Sequence, residues 1–265
     1  MQAWASIYLW TGGGLVVFYL VSLALDSFVC RHLNNHAYTA QETKLNLHIT
    51  GLMLLTRIGF TQAVAMTGLS WAASYRFFNL GDFSALVIFA CFVGVDFLYY
   101  WDHRLSHRVP AIWAFHRIHH SSTEYNISVT GRLSCFEGLY RWVFLVPLAV
   151  LGFPVFMILT MKLLSRGYQV WVHSVLDKNR FEGLGALFVT PGLHRNHHSL
   201  DRNLHDANYG AILSIWDRFF ATFKPTQEAR PYGCEPPLQT TNAFAINFET
   251  LKYFWRLRQH LRAWR

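Results

Sequence analysis

Long apolar runs alternate with polar segments along this chain, and their lengths are typical of membrane-spanning helices. Residues 5–25 are uncharged over 21 positions, which is long enough to cross the hydrocarbon core of a bilayer. A second run covers residues 47–73 and is interrupted by His48 and Arg57. A third covers residues 83–101 and contains one charge, Asp96. The second span is the least regular of the three, because an arginine near mid-span is costly unless it faces protein or reaches the interface.

A fourth apolar region covers residues 139–173 and is broken by Gly152-Phe153-Pro154. The break predicts a helical hairpin with its turn at these residues rather than one long helix. A hairpin also returns the chain to the side of the membrane where the third run ends. We therefore expect the polar segment 102–138 and the mixed segment 177–232 to share one face.

The polar residues 26–46 predict a loop with a helix cap at Thr43. At the other end of the chain, residues 248–265 predict a basic helix, and two interpretations of it stay open. It is either an amphipathic helix on an anionic membrane surface or a helix packed on the protein's own body. Its apolar face is formed by Leu251, Phe254, Leu257, Leu261 and Trp264.

These patterns predict an all-α integral membrane protein in which a helical cap outside the bilayer carries the polar chemistry. We expect a single membrane-integrated domain, 1–265. It comprises N-terminal spans at 1–80, a central region at 83–223 and a C-terminal tail at 230–265. The first apolar run follows no positively charged segment, so we expect it to remain as a membrane span rather than to be a cleaved signal.

Composition supports a membrane protein and excludes several other classes. The chain is 52% hydrophobic and 17% aromatic, and its net charge is +8 although only 14% of its residues are charged. Basic membrane proteins usually present lysine and arginine to the cytoplasmic side. The basic residues are scattered and form no nucleic-acid-binding motif. Four cysteines stand far apart without a C-x-x-C pair, which argues against a disulfide framework and a cysteine zinc site.

The candidate chemistry is concentrated in histidines. Two copies of the pattern H-x-x-H-H occur, an H-x-x-x-H pair precedes the first copy, and a further histidine lies between the copies. On a helix these spacings place the imidazoles on one face. Neutral imidazole is a good ligand for iron, zinc and copper, and nine histidines suffice for two metal ions. The nine are His103, His107, His116, His119, His120, His173, His194, His197 and His198.

The histidine pattern has three other interpretations: a structural zinc site, a two-metal hydrolase, and a metal transporter or sensor. A closed structural zinc site usually contains cysteine, and a two-metal hydrolase favours bridging carboxylates. A metal transporter or sensor predicts histidines inside the spans, whereas these follow the apolar runs. An all-imidazole centre is strongly positive, so nearby carboxylates are expected to orient the ligands, although each alone is also explained as a solvated charge or helix cap. The candidates are Asp96, Asp102, Glu124, Glu137, Asp177, Asp201 and Asp206.

The motif Asp96-x6-His103-x3-His107, followed by the two H-x-x-H-H copies, resembles that of the fatty acid hydroxylase/sterol desaturase superfamily. The flanking runs Y-W-D-H-R-L-S-H-R and H-D-A-N-Y-G-A-I-L-S-I-W-D-R-F-F agree. The resemblance covers roughly residues 83–223.

The resemblance implies an integral membrane enzyme with a di-iron centre on the cytoplasmic face, held by the nine histidines. Such enzymes use O2 as co-substrate and hydroxylate or desaturate a C–H bond of a fatty acyl, sterol or related lipid. Two iron ions are the expected cofactors, and zinc is expected to be able to replace them during purification. No haem or flavin module is evident in the chain, so a separate electron-transfer protein is expected as a partner.

Two departures from the family pattern concern the site. Some members carry a further histidine where this chain has Asp177, and His205 is a tenth candidate ligand or else a turn residue. Many members carry R-x-H-P-x-E, where this chain reads Arg132-Leu133-Ser134-Cys135-Phe136-Glu137. We expect this segment to border the substrate path and to affect substrate choice.

Overall fold

The computed structural model describes residues 2–33, 35–81, 84–175, 181–201, 203–227, 231–238 and 240–263. Within these ranges the chain is helical, and β-pairing is limited to two isolated bridges. The α-helices are α1 Gln2–His32, α2 Ala40–Thr56, α3 Gln62–Ala73, α4 Ala85–Arg108, α5 Pro110–His120, α6 Val146–Leu151, α7 Val155–Val172, α8 Pro191–His197, α9 Ile215–Phe219 and α10 Ala243–Ala263. The predicted all-α class is confirmed for the described residues.

Three helical rods in the described part of the chain are long and apolar enough to cross a membrane. They are α1, the combined rod Ala40–Ala73, and α4. In the combined rod a π-helical turn, Arg57–Thr61, joins α2 to α3 without breaking the helix. The three predicted spans are therefore present as helices of the required length.

The connection between the first two spans is shorter than predicted. Helix α1 continues to His32, and α2 already begins at Ala40. The prediction of a cap at Thr43 is wrong: Thr39 caps α2, and its hydroxyl accepts a hydrogen bond from the Glu42 amide at 3.3 Å. Thr39 has an extended backbone that lets its side chain reach this amide, whereas Thr43 already lies inside the helix.

Helix α4 extends beyond the apolar run that predicts it. The hydrophobic pattern ends at Trp101, but the helix continues to Arg108. It ends there because Val109 precedes Pro110, and a residue before proline is pushed out of the helical region. The first two candidate histidines therefore lie on the last turns of a membrane helix.

The hairpin at residues 139–173 is confirmed. Its first arm is a 3-10 turn, Arg141–Leu145, followed by α6, and its second arm is α7. Gly152 turns the chain with a positive φ of 113°. The amides of Phe77 and Leu80 donate hydrogen bonds to the carbonyls of Val150 and Gly152. The turn thus lies beside the connection between α3 and α4, at the end of the molecule away from the histidines.

The main apolar core packs α3, α4, α6 and α7 together around Leu69, Val95 and Ile158. A smaller core at the histidine end joins α2, α5 and the start of α10 through Ile49, Ile118 and Ile246. The first turns of α10 therefore pack on the protein's own body, although Leu251 is exposed. The other side chains of the predicted apolar face lie outside the described part, namely Phe254, Leu257, Leu261 and Trp264.

Candidate metal centre

Four helix ends converge to form the histidine-rich site. The end of α4 provides His103 and His107, α5 provides three histidines, and the residue after α7 is His173. Helix α8 and its C-terminal cap provide the last three. Two of these short helices start with proline in their first turn, where its missing N–H costs nothing. The hydroxyl of Thr190 also caps α8 by accepting the Leu193 amide at 3.3 Å.

The nine predicted histidines come together as two adjoining groups. In each group one ring nitrogen per residue lies within 4.8 Å of the others. The five-histidine site consists of His103, His107, His116, His120 and His197. The four-histidine site consists of His119, His173, His194 and His198. The groups touch each other, since the ring centres of His120 and His198 are 4.3 Å apart.

The hydrogen bonds of the rings fit a metal-binding role. Nδ1 of His103, His173 and His197 lies 2.9, 2.7 and 2.8 Å from the carbonyls of Tyr209, Gln169 and Ala207. A carbonyl can only accept, so Nδ1 carries the proton and Nε2 has a free lone pair. Nε2 of each of these rings is buried and has no hydrogen-bond partner among the described residues. A buried, unpaired acceptor is costly, and a metal ion would satisfy it.

The protonation state of the imidazoles also fits metal binding. Burial, followed by repulsion from neighbouring imidazoles, lowers the pKa of His116, His119 and His120 well below its usual range. Burial lowers the pKa of His173 to about 4 and that of His197 to about 3. These rings are therefore neutral at pH 7, which is the form that coordinates metals. The described histidines, without cysteine or carboxylate in either group, form a donor set suited to iron, copper or zinc.

A buried ion-pair network borders the five-histidine site. The guanidinium of Arg141 lies 3.5 Å from a carboxylate oxygen of Asp102 and 3.2 Å from one of Glu137. Both Arg141 and Glu137 contact Nδ1 of His116, at 3.3 and 3.6 Å. Asp102 therefore acts on the site through Arg141. The sequence patterns did not predict a role for Arg141. Its only distinguishing feature in the sequence is its position at the start of an apolar run.

The other predicted carboxylates serve different purposes. Asp96 accepts hydrogen bonds from the amides of Ile212 and Leu213 and from the Trp216 indole. It thus fastens the segment after α8 to α4 instead of orienting a histidine directly. Asp206 pairs with Arg108 at 3.4 Å. Glu124 accepts from the Thr39 amide and Asp201 from the Asn203 amide, so both stabilise loops. Asp177 lies outside the described residues.

His205 and Asp217 complete the surroundings of the five-histidine site. The His205 ring centre is 6.3 Å from that of His107, but His205 belongs to neither group. Asp217, which sequence reasoning did not single out, accepts hydrogen bonds from the amides of Tyr209 and Gly210. It holds the segment whose carbonyl orients His103. Asp217 is the aspartate of the W-D-R-F-F run that carries the family resemblance, and this run could have identified it as a candidate.

The segment that departs from the family pattern has a structural role. Asn247 of α10 accepts hydrogen bonds from the Ser134 hydroxyl at 3.3 Å and the Cys135 amide at 2.9 Å. Arg132 donates to Glu42 and Asn46 of α2. Ser134 and Cys135 also line a cavity between α2, α3 and α7.

Fold and site together define a helical membrane-type protein with two adjoining histidine clusters at one end of its apolar helices. The sequence model of the fatty acid hydroxylase family matches residues 88–222, which include all nine histidines. The chain belongs to the fatty acid hydroxylase family.

Curated relatives include human alkylglycerol monooxygenase, which is 39% identical over 69% of this chain and 40% of its own length. The alkylglycerol monooxygenase of Xenopus tropicalis is 33% identical over 90% of this chain and 53% of its own length. Ornithine lipid hydroxylase OlsE of Rhizobium tropici is 34% identical over 48% of this chain and 39% of its own length. This chain thus spans about half or less of each relative. No solved structure matches it.

Proposed function

We propose that this chain is a membrane-bound, oxygen-dependent lipid hydroxylase whose nine histidines hold two iron ions. The observation that carries the proposal is the pair of adjoining, buried groups of neutral imidazoles at the end of apolar helices. The printed names of the relatives are those of monooxygenases and lipid hydroxylases, which favours hydroxylation over desaturation. Alkylglycerols are the first substrate class to test, because the relatives that match most of this chain are named for them.

A bound pair of iron ions would supply the activation of O2 needed to oxidise an unactivated C–H bond. The protein holds the imidazoles in fixed directions through the carbonyls of Tyr209, Gln169 and Ala207. Burial of the ligands excludes water, and the Arg141 network provides charges beside His116. Hydroxylation consumes O2, two electrons and two protons and forms one alcohol and one water. The proposal therefore includes a separate electron-transfer protein as the source of the electrons.

We place the histidine clusters on the cytoplasmic side of the membrane. Among the described residues, the helix turns nearest the histidine end carry Arg31, Lys44, Arg104 and Arg108, whereas the connection between α3 and α4 carries Arg76. Loops rich in lysine and arginine stay in the cytoplasm. This side also gives an electron donor access to the centre.

Two rival functions make different predictions. A membrane zinc hydrolase would retain zinc tightly and consume no oxygen. A non-catalytic metal transporter or sensor would bind metal without changing any lipid. The absence of carboxylates from both described groups and the position of the clusters at helix ends favour the oxygenase.

The proposal is tested with the full chain, iron-loaded and reconstituted in lipid nanodiscs, with alkylglycerol, ferredoxin and its reductase, and 18O2. We expect a product that contains one 18O atom, seen by mass spectrometry. His119→Ala should abolish this product, and His48→Ala, an exposed histidine outside both groups, should not. Failure of the wild-type protein to oxidise alkylglycerols, ornithine lipids and fatty acids under these conditions would contradict the proposal.

A further inference from the structure

Three basic side chains meet at the cavity between α2, α3 and α7. Arg57, Lys162 and Arg166 all line this cavity and are half-buried. They are close enough to repel one another. None of the ion pairs in the described part of the chain involves them, although Arg57 donates a hydrogen bond to the uncharged hydroxyl of Tyr8. Cations within membrane helices are costly and usually have a partner or a function, and three together are more costly still.

The neighbouring carboxylates Glu137 and Asp102 compensate this cluster only in part. Glu137 lines the cavity but pairs with Arg141, which also pairs with Asp102. Counting Arg141 and its two carboxylate partners, four basic groups, three of them arginines, stand against two acidic groups. The cavity therefore has an excess of positive charge, in a region where water is scarce and an unpaired cation gains most from an anionic ligand.

The backbone is irregular where this cavity forms. The π-helical turn Arg57–Thr61 lies within the continuous α2–α3 rod and departs from regular α-helix, and both of its end residues line the cavity. Turns of this type are frequent at functional sites. The turn gives a reason, separate from charge, to regard the cavity as a binding site.

An apolar pocket adjoins the basic cavity and shares Met53, Arg57, Leu133 and Arg166 with it. The cavity has a volume of about 60 Å³ and the pocket about 110 Å³. The outer wall of the pocket includes Val16, which is 45% exposed on the lipid-facing surface of α1. A charged inner compartment followed by an apolar outer one matches an amphiphile whose head points inward and whose chain points toward the bilayer.

We propose that the Arg57–Lys162–Arg166 cavity binds the anionic phosphate or carboxylate group of a lipid, with its hydrocarbon chain in the adjoining pocket. The assignment of this lipid as substrate rests on the proposed function. Within it, an anionic head favours fatty acids, or alkylglycerols that carry a phosphate, over uncharged alkylglycerols. Glu137 and Arg141 of the cavity wall contact His116, so the head would lie beside the five-histidine site. The carbon atoms next to the head, not the far end of the chain, would then be the ones oxidised.

The proposal is tested by binding, without turnover, to the purified full chain in a neutral detergent. The probes are hexadecyl phosphate, palmitate, hexadecanol and inorganic phosphate, and affinity is followed by isothermal calorimetry. We expect both anionic lipids to bind at least about tenfold more tightly than hexadecanol, because only an anionic head forms charge-assisted hydrogen bonds with the basic side chains. Inorganic phosphate, which cannot fill the apolar pocket, should bind weakly.

Variants locate the site. Arg57→Gln and Arg166→Gln should each weaken hexadecyl phosphate binding about tenfold, whereas Arg57→Lys and Arg166→Lys retain most of it because they keep the charge. Arg76→Gln, which removes an exposed cation away from the cavity, is the matched control and should have no effect.

Equal affinities for hexadecyl phosphate and hexadecanol would overturn the proposal, as would inorganic phosphate binding as tightly as its alkyl ester. If the glutamine variants do not fold, the wild-type comparison and the lysine variants still decide. Lipid binding with the expected preference, but without turnover, would count against the proposed oxygenase activity alone.

Discussion

Each H-x-x-H-H motif divides its histidines between the two sites. His116 and His120 belong to the five-histidine site and His119 to the other, while His194 and His198 belong to the four-histidine site and His197 to the other. Successive residues are about 100° apart on a helix, so positions i and i+4 differ by about 40° and point together. Position i+3 lies on the other side of i and points away from i+4. The motif thus bridges two adjoining sites with one turn of helix.

This division predicts separable metal sites. His194→Ala and His197→Ala should each reduce the iron content from two ions per chain to about one, because each removes a ligand from one site only. Mass-spectrometric metal analysis of the purified proteins measures this. His48→Ala is the control and should keep both ions, and loss of both ions from each single variant would contradict two separable sites.

The buried Arg141 network predicts a large effect on stability. Arg141→Met removes the shared partner of Asp102 and Glu137, and we expect the free energy of unfolding to fall by about 3–5 kcal/mol because two carboxylates remain buried and unpaired. Denaturant titration in detergent micelles measures the change. Arg76→Met, at an exposed position, should change it by less than about 0.5 kcal/mol; a similar small effect for Arg141→Met would be evidence against the network.

At the scale of elements, the turn of the hairpin depends on Gly152, whose backbone is in the left-handed region. Gly152→Ala would place a methyl group against the Phe78 carbonyl and force a positive φ on alanine. We expect the free energy of unfolding to fall by about 1–3 kcal/mol. A lower melting temperature in detergent would show this. Gly167→Ala inside α7, where a methyl group meets Leu15 at ordinary contact distance, is the control and should be neutral or stabilising. Equal melting temperatures would show that the turn tolerates a side chain.

The protein as a whole should lose its metals and its stability in acid. In the unfolded chain histidine has a pKa of about 6.5, whereas burial depresses the pKa of the folded imidazoles far below this. Between these values the unfolded chain binds more protons, so stability is present above pH of about 6.5 and falls as the pH decreases below it. Melting temperature and retained iron, measured from pH of about 7.5 to 4.5, should fall together. A constant melting temperature over this range would contradict buried, neutral ligands.

The proposed orientation predicts which ends of the molecule are accessible from outside the cell. Tyr75→Cys, in the exposed connection between α3 and α4, should react with a membrane-impermeant maleimide on intact cells. His36→Cys, exposed at the histidine end, should react only after the membrane is opened. The wild-type protein gives the background, since Cys30, Cys91 and Cys234 are buried. The reverse pattern would place the histidines outside the cytoplasm.

The sequence by itself determined the features that depend on local pattern. Apolar length predicted the three spans, the Gly152-Phe153-Pro154 break predicted the hairpin, and helical spacing singled out the nine histidines. The structure contains the spans and the hairpin and brings the nine histidines together, because hydrocarbon thickness, helical period and the backbone limits of glycine and proline act on consecutive residues.

Only the tertiary structure decided the features that depend on residues far apart in the chain. It divided the histidines into two groups, placed Arg141 between Asp102 and Glu137, and brought Arg57 of α2–α3 together with Lys162 and Arg166 of α7. It also showed that the Asp96 carboxylate accepts a hydrogen bond from the amide of Ile212, in a loop distant in the sequence. Burial and pairing at these positions depend on which helices pack together, and apolar patterns specify the buried faces without specifying their partners.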